Sequence, residues 1–137
     1  MNAIIKNLID NEKFKDYLKN INEKISPINI LGLTDVAKVQ FLVATKEESR
    51  RPICIITYNE LQAKKIIKDF EFFGETVRFF PKRDTVSFDY IAESKDTLYK
   101  RISVLNNIVK KKNKIVVTTI EAAMQKMIKK ESLYKHV

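Results

Sequence analysis

Apolar positions along this chain alternate between two spacings, the 3.6-residue period of an amphipathic helix and the short unbroken run of a buried strand. Phe14, Tyr17, Leu18, Ile21 and Ile25 share one helical face, so Asn11 to about Lys24 is predicted to be a helix that Pro27 stops. Ile28-Asn29-Ile30-Leu31 then reads as a first strand, and Val36, Val39 and Val43 mark a helix after it. The second strand, Ile53-Cys54-Ile55-Ile56-Thr57, is entered through Pro52. Its consecutive apolar residues predict burial on both faces, as in a parallel sheet. Asn59 can cap the next helix, with Gln62 placed to reach back. Ala63, Ile66, Ile67, Phe70 and Phe73 form its buried stripe, and Gly74 ends it. Thr76 to Phe80 is a third strand, stopped by Pro81. After a loop to about Lys95, Leu98, Ile102, Leu105 and Val109 form another stripe. Lys114 to Thr118 is the fourth strand, and Thr118-Thr119-Ile120-Glu121 carries a capping-box signature. Ile120, Ala123, Met124, Met127 and Ile128 make the last stripe, expected in the core.

Four βα units in series predict an α/β fold, a parallel sheet with helices on both faces behind an N-terminal helical extension. Residues 1–26 form that helical segment and 27–137 a single lobe. Ligands of such sheets bind at the carboxyl ends of the strands. One of those ends looks like a nucleotide site. Gly32-Leu33-Thr34-Asp35-Val36-Ala37-Lys38-Val39 follows the pattern of a phosphate loop, which is Gly, four residues, Gly, Lys, then Ser or Thr. Gly32 and Lys38 are in register. Ala37 replaces the second glycine and Val39 the hydroxyl that would hold magnesium. Asp35 adds a negative charge where phosphate would sit. No acidic pair follows a later strand to hold magnesium and position water. The loop therefore reads as degenerate, and no cofactor is expected here.

Composition narrows the class further. At 137 residues the chain is long enough for one core that buries about two-thirds of its unfolded surface. No apolar run approaches the ~20 residues that span a bilayer. Met1 to Lys6 is too broken by polar residues for a signal peptide. A single cysteine, Cys54, excludes an intrachain disulfide and fits a reducing, cytoplasmic setting. One cysteine and one histidine make a zinc site on those ligands implausible. A Ser-His-Asp or Cys-His arrangement would depend on His136, near a terminus.

The formal net charge of +9 has two readings. One is a nucleic-acid surface. The other is a lysine-rich composition whose densest run, Lys110, Lys111, Lys112 and Lys114, is a solvated loop at a helix end. Basic runs without interleaved aromatics favour the second, with only weak nonspecific DNA contact from these lysines.

Several segments together resemble a known family. They are Pro52 to Asn59, Gln62-Ala63, Phe80-Pro81-Lys82-Arg83-Asp84-Thr85, Arg101 to Leu105, and Ile115 to Ala122. In order and spacing they resemble the start of the bacterial transcription-repair coupling factors (Mfd), itself similar to the nucleotide-excision-repair protein UvrB. The resemblance covers nearly all of the chain from Ile28 onward. It implies a RecA-like lobe within a UvrB-like module, and a first lobe whose phosphate loop is degenerate in the coupling factors. It implies that this lobe is a piece of an ATP-hydrolysing DNA translocase that displaces stalled RNA polymerase and recruits repair proteins. ATP and magnesium would then belong to a motor region beyond Val137, as would contacts with RNA polymerase and UvrA. UvrB also carries a long damage-probing hairpin, for which Phe88 to Glu93 leave no room. Arg83 and Asp84 are candidates for an inter-domain contact or for a local pair that orders the loop, with Arg101 able to anchor it. Two other readings stay open. One is a receiver-like signalling domain with Asp84 near the third strand's end, and the other an active nucleotide-binding domain.

Overall fold

The computed structural model describes residues 3–83, 95–112, 114–129 and 131–132. The elements are α1 (Ala3–Ile9), α2 (Glu12–Asn22), α3 (Asp35–Ser49), β1 (Ile53–Thr57), α4 (Glu60–Phe72), β2 (Arg78–Phe80), α5 (Lys95–Val109), β3 (Ile115–Thr119) and α6 (Ile120–Met124). The three strands form one parallel sheet in the order β1-β3-β2. Period-2 alternation sends Ile55 and Ile115 to one face, where they meet Val39, Val43 and Ala44 of α3 and Phe70 of α4. Val116 and Phe80 point to the other face, where Val104 of α5 and Ala122 of α6 cover them. The fold is thus α/β, with a parallel sheet between two helical layers.

Local chemistry accounts for most boundaries. Asn11, Thr34, Asn59 and Thr119 are extended N-cap residues whose side chains accept backbone N–H groups of α2, α3, α4 and α6. Asn59 Oδ1 takes the Gln62 N–H at 2.8 Å, and Gln62 Oε1 reaches back to the Tyr58 N–H at 3.4 Å. Gly74 supplies the left-handed turn after α4, at φ +75°. Buried threonines tie the carboxyl ends of the strands together. Thr57 Oγ1 donates to the Thr118 carbonyl and Thr118 Oγ1 to the Phe80 carbonyl. The N-terminal helices share the main core: Ile5 and Phe14 are buried with Val39 and Phe70, and Phe14, Tyr17 and Phe41 form an aromatic cluster. Lys46 in α3 meets Glu75 at 2.6 Å beyond α4. Burial opposes the Lys46 charge, but the bonds to Glu75 and Glu47 prevail and hold its ammonium above the ordinary value.

Several expectations need correction. Ile28 to Leu31 forms no strand, and Leu31 is 90% exposed. A strand requires a hydrogen-bonded neighbour, and this three-apolar segment makes no ladder with β1; Ile30 lines a cavity instead. The sheet among the described residues therefore has three strands rather than four. β1 is not buried on both faces, because helices cover its second face incompletely among the described residues: Cys54 and Ile56 are exposed. The buried side of α5 centres on Arg101 and Val104, and Ile102 faces outward. A charged residue in the buried face disguised the stripe. The last stripe is not core either. α6 stops at Met124, and Ile120, Met124, Met127 and Ile128 are exposed. Its cap is Thr119, because Thr118 is held inside the strand by its bond to Phe80, and Glu121 turns to Lys82 at 2.8 Å.

Candidate functional site: a closed phosphate loop

Gly32 leaves the irregular segment at φ +81°, in open space. Only two residues separate it from α3. A phosphate loop works by turning successive backbone N–H groups inward around the anion. Here Asp35, Val36, Ala37 and Lys38 are already helical. The Ala37 N–H goes to Thr34 Oγ1 at 3.4 Å and the Lys38 N–H to the Thr34 carbonyl at 2.9 Å. Thr34 capping winds the loop into the helix and commits those donors.

Side chains complete the closure. Asp35 receives Lys65 Nζ at 2.7 Å and Lys38 Nζ at 3.3 Å. All three side chains are more than half exposed. The hydrogen bond from Lys65, then that from Lys38, holds the Asp35 carboxyl below its ordinary value, and the same bond holds Lys65 above its own. The protein's own carboxylate thus occupies both lysines at this turn. Val39 is 1% exposed and belongs to the core. The cavity beside the loop holds about 250 Å³, with Leu33, Val39, Leu42, Ile55 and Ile66 among its lining. That is below the ~300–1,000 Å³ of usual small-molecule sites. Asp69 also lines it, and its buried Oδ2 has no hydrogen-bond partner among the described residues. Lys38 and Lys65 line the cavity as well, but both are paired with Asp35, and the rest of the wall is largely apolar.

The turn after β2 is built differently. Arg101 is 4% exposed on α5, donates from Nη1 to the Pro81 carbonyl at 2.6 Å, and lies 4.1 Å from the centre of the Phe80 ring. Gln125 completes a clamp: its Oε1 accepts the Arg83 N–H at 2.6 Å and Arg101 Nη1 at 3.3 Å, and its Nε2 donates to the Arg83 carbonyl. Arg101 thus acts inside the lobe, on the backbone of the turn. Asp84 lies outside the described residues, as do Phe88 to Glu93 and His136. Lys110, Lys111, Lys112 and Lys114 follow α5 as exposed side chains.

Sequence reasoning missed Lys65, Asp69 and Gln125. The first two sit on a helix face one turn apart, and only the packing of α4 beside α3 brings them to the loop. Gln125 had no motif, because its partners are backbone atoms.

No family profile matches this chain, and no solved structure matches it. Over 128 residues it is 26% identical to the transcription-repair-coupling factor of Bacillus subtilis strain 168. The match covers 92% of this chain and 11% of that protein, so the chain spans about a ninth of its relative's length. The resemblance read from the residues is the one found by comparison: this chain is similar to a transcription-repair-coupling factor along most of its own length and a small part of that protein's.

Proposed function

We propose that these residues form a non-catalytic, UvrB-like scaffold lobe of a cytoplasmic transcription-repair coupling factor. In this reading ATP-driven movement on DNA, displacement of stalled RNA polymerase and recruitment of UvrA are carried out by other regions of a longer protein. The lobe supplies an α/β support, with α1 and α2 packed against it as a buttress. The observation that carries the reading is the closed phosphate loop. Its Ala37 and Lys38 amides are bonded to Thr34, its lysine to Asp35, and Val39, at the metal-ligand position, lies in the apolar core. Similarity to a coupling factor supplies the context. Of the lysines after α5, the reading asks only weak, salt-sensitive contact with nucleic acid.

Calorimetric titration of the chain with magnesium-ATP tests the proposal. No saturable heat is expected. A micromolar dissociation constant would overturn it, and would favour an active nucleotide-binding domain instead.

A further inference from the structure

The sheet face that carries Val116 and Phe80 is covered unevenly among the described residues. α5 lies over β2, and α6 lies against β3 and β1. At the amino-terminal half of β1 a groove of about 550 Å³ remains. Its floor is Cys54 and Val116, which are register partners on β1 and β3. Pro52 and Ile53 extend it, and Ile108 of α5 borders it. Arg50, Lys111 and Lys114 supply every charge that lines it. Arg50 ends α3 and Lys111 follows α5, both with left-handed backbones at φ 54°. None of the three makes an ion pair among the described residues. The groove is therefore apolar within and uniformly positive at its rim.

We propose that this groove docks an acidic amphipathic helix of a protein partner. Apolar residues spaced i, i+3, i+4 and i+7 would lie on Cys54, Ile108 and Val116, with carboxylates toward Arg50, Lys111 and Lys114. Charge complementarity selects an acidic partner. The apolar floor selects a protein over a nucleic acid, since no aromatic side chain lines the groove to stack a base. A helix is the element that fits, because α5 and α6 already lie on this face and a further helix would continue their layer.

Cys54 makes the test direct, because it is the chain's one cysteine and is exposed on the groove floor. Its alkylation rate would be followed with a synthetic helical peptide of about 16 residues, Leu on one face and Glu on the other, long enough to form a helix on binding. The Glu peptide is expected to slow alkylation about tenfold at saturation, since thiol reaction follows access. A peptide with Lys in place of Glu, one with Ser in place of Leu, and single- and double-stranded oligonucleotides are expected to leave the rate unchanged. The double variant Lys111→Glu with Lys114→Glu changes two exposed side chains, and its folding is checked by thermal melting. It should lose the protection. Absence of protection by the Glu peptide would overturn the proposal. So would equal protection by either control peptide, protection by an oligonucleotide, or retention of protection in the folded double variant.

Discussion

The turn into α3 and the turn out of β2 each set a cation against an oxygen acceptor, but in opposite surroundings. At the first, Lys38 and Lys65 meet Asp35 in water, with all three side chains more than half exposed. At the second, Arg101 is 4% exposed, and its guanidinium meets a backbone carbonyl and an aromatic ring. Exposed ion pairs gain little, because solvent screens them and long side chains lose entropy in holding them. A buried donor is different. Removing it leaves desolvated acceptors without partners. The first turn is therefore shaped by its cap and helix, and its charges decide mainly what cannot bind there. The second turn is shaped by its charge.

The largest effect should come from Arg101. Arg101→Met keeps an apolar stem but leaves the Pro81 carbonyl without its donor and strips Phe80 of its cation. A loss of about 3 kcal/mol is expected, from a charge-assisted hydrogen bond and a desolvated cation–π contact. Urea unfolding of the variant beside the wild type measures it. A loss below about 1 kcal/mol, within the range of exposed pairs, would erase the contrast between the two turns.

That contrast also explains what the sequence revealed. Unbroken apolar runs located β1 and β3, and Asn59 with Gln62 located the start of α4, because strand burial and capping are local chemistry. Ala37 and Val39 were legible as departures from a phosphate loop for the same reason. Arg101 was seen on its helix, but its burial was not, because charge patterns read as surface. The first expected strand failed because Ile28 to Leu31 has a strand's composition and no neighbour to pair with, and pairing is a tertiary fact. The final stripe failed because Ile120, Met124, Met127 and Ile128 have helical spacing, and spacing alone does not say whether another element covers them.

The cap at the first turn should come next in size. Thr34→Ala removes the acceptor of the Ala37 N–H and should cost about 1 kcal/mol, toward the lower end of N-cap losses because the bond is long at 3.4 Å. Thr34→Ser should recover most of it. Equal losses in both variants would mean that the threonine methyl, rather than its oxygen, holds the turn.

The smallest effect belongs to Asp35, and its sign depends on pH. Lys65 first, and Lys38 second, lower its carboxyl pKa below the ordinary 3.8. A carboxyl lowered on folding stabilises the fold above its unfolded value and loses that contribution as pH falls through its folded value. The stability difference between wild type and Asp35→Asn should therefore be present at neutral pH and vanish in acid. It should also shrink with added salt, since these charges are exposed. Unfolding curves at several pH values, at low and high salt, would show it. A difference that grows in acid would mean the carboxylate is strained rather than stabilised. The same variant separates two ways of closing the phosphate loop. If Asp35 alone excludes nucleotide, removing its charge should restore a saturable signal with magnesium-ATP. With Val39 in the core and the Ala37 and Lys38 amides bonded to Thr34, no such signal is expected, because those two amides and a hydroxyl to hold magnesium are still missing from the loop.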